Sequence, residues 1–149
     1  MAKTEFMGSS PLTLDGKGRL AIPARVREVL ETLGATELVV TKHPDGPVLI
    51  FPPAAWAKVA EQIAALPMDA APIKRFFVGN ATEVQPDASS RILIPPELRR
   101  YAGLERDVML LGMLTHLELW DEQRYRDHED TVAKNALSAL PETARKLVF

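Results

Sequence analysis

The feature that most constrains the fold is an internal repeat. Asp15, Arg19, Ile22, Pro23 and Arg27 recur as Asp87, Arg91, Ile94, Pro95 and Arg99, an offset of 72 residues; Leu20 is matched by Ile92 and Val26 by Leu98. The shared word is D-x-x-x-R-[LI]-x-I-P-x-x-[VL]-R. Downstream, Leu38-Val39-Val40 is answered by Met109-Leu110-Leu111, Leu49-Ile50-Phe51 by Glu118-Leu119-Trp120, and Trp56 by Tyr125. Extension through two further apolar runs takes the match beyond accident. In a chain of 149 residues, two such units are marginal alone and are expected to share one core.

Each copy reads as β-β-α-β-β. Asp15-Gly16-Lys17-Gly18 places glycines where positive φ is cheap, which predicts a tight hairpin between a strand ending near Leu14 and one starting at Arg19. Pro23 suits position N1 of a helix whose Val26, Val29, Leu30 and Leu33 share one face, and Gly34 stops it. The second copy repeats this with Pro95 or Pro96, Leu98, Tyr101, Ala102 and Gly103. Strands are expected at Leu38–Thr41 and Val48–Phe51, then at Val108–Gly112 and Leu117–Trp120, with Asp45-Gly46 as a turn. Pro52-Pro53 begins a helix carrying Trp56, Val59, Ala60 and Ile63 that ends before Pro67; Ile73, Phe76 and Phe77 mark further helical turns. Asp121 suits the N-cap of a charged, partly exposed helix reaching Ala139, with Tyr125, Val132, Ala136, Leu137 and Leu140 only loosely periodic. The expected organisation is a first repeat over 5–53, a helical connection over 54–80, a second repeat over 81–124 and a C-terminal helical segment over 125–149.

Several functional classes are disfavoured. There is no cysteine, which removes disulfides, thiolate zinc sites and cysteine nucleophiles and agrees with a reducing cytosol. His43, His116 and His128 lack metal-ligand spacing, His128-Glu129-Asp130 reads as a solvated face, and no glycine loop has phosphate-binding form. No enzyme activity, metal, cofactor or small-molecule substrate is expected. The start MAKTEFMGSS lacks the apolar core of a signal peptide, and no run approaches the roughly 18 apolar residues of a membrane helix, so a cytoplasmic protein is expected. The net charge of −2 falls short of a bulk basic footprint. Binding to nucleic acid would have to come from a local patch.

Such a patch surrounds the first turn. Asp15 can accept bonds from the backbone after it and pair with Arg19, so the aspartates, and Arg91 with Asp87, read as turn clamps. Lys17 and Arg19, followed by Arg25 and Arg27 on the first turn of the helix, concentrate four cations around a rigid turn and are the candidate DNA-binding residues. The second turn carries Ala88-Ser89-Ser90 instead, and Glu97 stands in place of Arg25. If charge drives contact, the first copy is the working one.

The words TLDGKGRLAIPARVREVL, LIFPPAAWAKV, FFVGNATE, PDASSRILIPPELRRYAGL, DVMLLG and LELWDEQRY, in this order, resemble the MraZ family of bacterial regulators. The resemblance implies an α+β fold: two AbrB-like, swapped-hairpin repeats forming a pseudo-symmetric, small barrel-like core with flanking helices. It also implies a sequence-specific DNA-binding transcriptional repressor of the division and cell-wall gene cluster. Such a protein acts on short direct repeats of double-stranded DNA upstream of its own operon, as a nucleoid-associated, ring-like homo-oligomer. The family's motifs fall on Asp15 and Arg19 and on Asp87 and Arg91, with Arg19 the arginine most readily tied to DNA and Lys17 at the usual basic position. The second motif departs from the pattern: its glycines are missing, Pro86 precedes the aspartate, where a ladder hydrogen bond should be lost, and Met113-Leu114-Thr115-His116 replaces a polar turn. The rival reading is a protein-interaction module, such as an AbrB-like antitoxin that holds a toxin with its tail.

Overall fold

The short apolar runs assemble into two sheets. The computed structural model describes residues 3–139 and 141–148; Leu140 and the side chains of Ala136 and Leu137 lie outside the described residues. The strands are β1 (Ser9–Thr13), β2 (Arg19–Ala21), β3 (Leu38–Lys42), β4 (Val48–Phe51), β5 (Thr82–Val84), β6 (Arg91–Leu93), β7 (Asp107–Gly112) and β8 (Leu117–Asp121). The helices are α1 (Ala24–Leu33), α2 (Pro53–Ala64), α3 (Ala71–Phe77), α4 (Pro96–Ala102), α5 (Glu122–Ala139) and α6 (Glu142–Arg145), with one 3-10 turn at Met68–Ala70. A six-stranded antiparallel sheet runs β1-β7-β8-β4-β3-β5, and β2 with β6 forms a separate two-stranded ribbon. The α+β double-repeat fold is as expected.

The expected hairpin is corrected in one respect. The chain does reverse at Asp15–Arg19, where the Asp15 N–H donates to the Arg19 carbonyl at 3.1 Å, but the flanking strands do not form a ladder with each other. β1 continues along β7, and β2 crosses to β6 of the other repeat. The reason lies in the length and pattern of the ribbon strands. Three-residue strands that each turn a single apolar side chain inward cannot persist alone, and Leu20 and Ile92 leave water together only when the two copies pair. They stand directly opposite each other, each 1% exposed, with Arg19 opposite Leu93 and Ala21 opposite Arg91. The bonds at the ribbon ends are reciprocal: the Ile22 N–H donates to the Ser90 carbonyl at 2.9 Å and the Ile94 N–H to the Gly18 carbonyl at 3.0 Å. A pseudo-twofold axis therefore passes through the Leu20–Ile92 pair. It recurs in the large sheet, where β4 pairs with β8 and Leu49 faces its counterpart Glu118.

The core sits between the ribbon and the inner face of the large sheet. Leu20, Ile22, Ile92 and Ile94 pack with Val26, Val29 and Leu30 of α1, Leu98 and Ala102 of α4, and Val40, Ile50, Leu110 and Leu119. Gly34 and Gly103, at φ 68 and 67, close α1 and α4, so that Ala35 and Leu104 donate back to the Leu30 and Arg99 carbonyls. Pro23 is the N-cap of α1, not its N1 residue: ψ of 152 keeps it extended while its carbonyl takes the N–H groups of Val26 and Arg27. In α4, Pro95 caps and Pro96 is the first helical residue.

The outer face breaks the symmetry. Val39, Leu49 and Phe51 lie under Trp56 and Val59 of α2 and Phe77 of α3, and the buried Thr41 hydroxyl donates to the Phe77 carbonyl at 2.7 Å. On the second half, Trp120 meets Tyr125 and His128 of α5, a helix that the Asp121 carboxylate caps through the Arg124 N–H at 3.0 Å. Pro86 stands where Leu14 in the first repeat donates its N–H to the Arg106 carbonyl at 2.8 Å; proline has no such proton, and β5 ends at Val84.

Candidate nucleic-acid interface

The D-x-x-x-R word builds the same clamp twice. Asp15 Oδ1 accepts the backbone N–H groups of Lys17 and Arg19, each at 2.9 Å, while Oδ2 accepts Nε–H of Arg19 at 2.7 Å. Asp87 repeats this with Ser89 at 2.8 Å, the Arg91 N–H at 3.0 Å and Arg91 Nε at 3.0 Å. The spacing is physical: the side chain of residue one spans the turn to the amides of residues three and five, and the fifth residue folds its guanidinium back onto the same carboxylate. These donors hold Asp15 down at about 2 from its ordinary 3.8, the Arg19 backbone N–H first, then its guanidinium and the Lys17 N–H, against an opposing effect of partial burial. The Asp87 carboxyl is lowered for the same reasons, its largest cause again the arginine's N–H. Both carboxylates stay charged at neutral pH, so each arginine is fixed at Nε and positioned.

Swapping then brings the two arginines together. Within the ribbon, Leu20 and Ile92 point inward, so Arg19, Ala21, Arg91 and Leu93 share the outward face. Arg19 and Arg91 lie diagonally across it, and Arg91 Nη1 comes within 3.9 Å of Asp15 Oδ2. Leu93 is 48% exposed in the middle of this charged face. The result is a narrow two-stranded ribbon with a guanidinium from each repeat and a turn at either end.

The other sequence-predicted residues are placed differently. Lys17 is exposed at the apex of the first turn, and Arg27 is exposed on α1; among the described residues neither forms an ion pair. Arg25 faces the N-terminal strand instead: Nε and Nη2 bond Ser10 Oγ at 3.0 and 2.8 Å, and Nη1 bonds the Met7 carbonyl. All three guanidinium nitrogens are thereby engaged within the chain. Arg99, the repeat counterpart of Arg27 and not among the candidate DNA-binding residues, lies against Gly18 of the first turn. The only sequence signal for it was its place in the repeat, since nothing local says that α4 reaches the turn of the other copy.

His116 stacks on Phe51 at 4.9 Å, and its burial pushes its pKa below the ordinary value. Tyr125 donates to Glu129, and burial together with that carboxylate pushes the phenol up to about 12. Among the described residues no three His, Asp or Glu side chains gather as a metal site, and no helix is long and apolar enough to cross a membrane.

Two repeats that exchange a strand across a pseudo-twofold axis, each with an aspartate-clamped turn, define a double-repeat protein of the AbrB-like, swapped-hairpin class. The family profile described as "MraZ protein, putative antitoxin-like" matches residues 6–76 and again 77–148. The chain is 55% identical over 137 residues to the Transcriptional regulator MraZ of Methylibium petroleiphilum, covering 92% of this chain and 94% of that protein. It is 48% identical over 144 residues to the protein of the same name in Burkholderia cenocepacia, covering 97% and 99%. The chain belongs to the MraZ family.

Proposed function

We propose that this protein is a transcriptional regulator that lays the outer face of its β2–β6 ribbon, led by the first turn, against double-stranded DNA. The observation that carries the reading is the convergence of Arg19 and Arg91 on one exposed two-stranded ribbon with Lys17 at its apex. A ribbon of this width fits a major groove, where an arginine can take guanine O6 and N7. Arg19 is the principal contact, Lys17 and Arg27 support it, and Arg25, held to Ser10 and Met7, orders the strand leading into the turn. The family name of the relatives supports the regulatory role.

One ribbon neutralises only about two or three phosphates, too few for tight binding by a subunit of net charge −2. Several subunits on repeated sites multiply the local concentration of turns, which favours a ring-like homo-oligomer on short direct repeats. We place those repeats upstream of the protein's own operon in the division and cell-wall cluster, with repression as the outcome and the nucleoid as the location. The second reading, a partner-binding antitoxin-like module, has the family description and the exposed face of α5 in its favour. A gel shift with the upstream DNA separates the two. Retardation that Arg19→Ala abolishes, with the oligomer unchanged by size-exclusion chromatography, supports the DNA reading; a shift unchanged by Arg19→Ala refutes the assignment, and no shift favours the module.

A further inference from the structure

The turn of the first repeat is completed by a side chain of the second. Gly18 has φ +83, and a Cβ placed on it would fall 2.4 Å from Cζ and 2.5 Å from Nε of Arg99. Positive φ alone does not demand glycine, because Ser90 occupies the same position of the second turn at φ 58. At position 18 two demands combine: the φ itself strains an L side chain, and the end of the Arg99 side chain fills the space a Cβ would take. Arg99 Nε donates to the Ile94 carbonyl at 2.9 Å, and the Ile94 N–H donates to the Gly18 carbonyl at 3.0 Å, so arginine and turn are tied to one residue. Arg99 is half-buried, and among the described residues no carboxylate pairs with it and no hydrogen bond uses its Nη groups. A positioned, uncompensated cation therefore stands beside Lys17 and Arg19.

We propose that Arg99 is a DNA-contacting residue of the first turn, its two Nη groups taking a backbone phosphate next to the contacts of Lys17 and Arg19. The proposal rests on the reading of that turn as the DNA interface. A guanidinium fixed at Nε suits the role, because its remaining donors form a planar pair that matches two phosphate oxygens. The binding unit then spans both repeats, and the weakly basic second turn is offset by what its helix lends to the first.

The test measures affinity of the full-length protein for the upstream duplex across a salt series, for the wild type, Arg19→Ala, Arg99→Gln and Arg99→Lys. Glutamine keeps an N–H for the Ile94 carbonyl and removes the charge; lysine keeps the charge. Arg99→Gln is expected to weaken binding roughly tenfold at low salt and to make the log–log salt slope shallower by about 0.9 per engaged turn, and Arg99→Lys to restore the slope. Unchanged affinity and slope in Arg99→Gln, with Arg19→Ala unable to bind, overturns the proposal while leaving the interface standing. Binding by Arg19→Ala at wild-type strength removes the interface itself. Loss of slope in Arg99→Lys equal to that in Arg99→Gln also overturns it, since packing and not charge would then be the cause. Should Arg99→Gln not fold, the wild type decides: DNA must protect Arg99 from phenylglyoxal, read by peptide mass spectrometry, and an unprotected Arg99 overturns the proposal.

Discussion

Replacing Gly18 by alanine probes how the two repeats interlock. The new methyl group meets two separate penalties. At φ +83 an L-residue costs about 1 kcal/mol. The methyl also displaces the Arg99 guanidinium, whose Cζ would lie 2.4 Å away, and breaks the 2.9 Å bond to the Ile94 carbonyl, a charge-assisted bond contributing about 1.5 kcal/mol at a half-buried site. The smaller backbone entropy of the unfolded alanine chain returns about 0.5 kcal/mol. The net loss is about 2 kcal/mol, which lowers the melting temperature of a chain this size by roughly 4–8 °C. In an Arg99→Ala background only the backbone penalty remains, so Gly18→Ala should then cost about 0.5 kcal/mol and the coupling should be about 1.5 kcal/mol. Urea denaturation of the four proteins in the cycle measures this. Equal costs of Gly18→Ala in both backgrounds would refute the argument that Arg99 is what excludes a side chain at position 18.

Two further outcomes follow from the same geometry. Leu20→Ala and Ile92→Ala each empty a fully buried site on the pseudo-twofold axis and should each cost about 3 kcal/mol in denaturant unfolding, with a non-additive double variant because the side chains touch the same space; costs below about 1 kcal/mol would show that the ribbon does not seal the core. The Asp15 clamp should be insensitive to pH through the neutral range: with a folded pKa of about 2 against an ordinary 3.8, its stabilisation is complete above about pH 4 and lost as pH falls towards 2. A carboxyl titration by NMR reads the midpoint, and a value at or above 3.8 sinks the clamp.

Much of this arrangement was legible in the chain, and what was not has a common cause. Helix α1 could be read from Val26, Val29 and Leu30 and its stop from Gly34, and β4 from its four apolar residues, because these signals are local. The clamp was legible for the same reason, as the aspartate and its partners lie within five residues. The strand exchange was implied by the resemblance to swapped-hairpin repeats and not by the local residues, which read as a plain hairpin. Asp-Gly-Lys-Gly says that the chain reverses; it does not say which strand the reversed chain joins, and that choice is made by the opposed Leu20 and Ile92 from distant segments. The grouping of Arg25 with Lys17 failed to anticipate Ser10 and the Met7 carbonyl, which reach Arg25 only because β1 docks on β7. Arg99 escaped notice on the same ground: its neighbour Gly18 belongs to the other repeat.

The strand exchange through Leu20 and Ile92 has a bearing on how such a chain can change over time. An interface related by twofold symmetry between separate identical subunits must accept every substitution twice, once on each side. Here both sides are written in one polypeptide, so each can be altered independently, and dilution can never part them. That freedom is visible in the pair of turns, where one holds a lysine between glycines and the other two serines, and in the outer face, where one half carries α2 and α3 and the other α5. Two related turns can thus differ in charge, and two related sheet faces in the helices that cover them, without losing the symmetry that holds the scaffold closed.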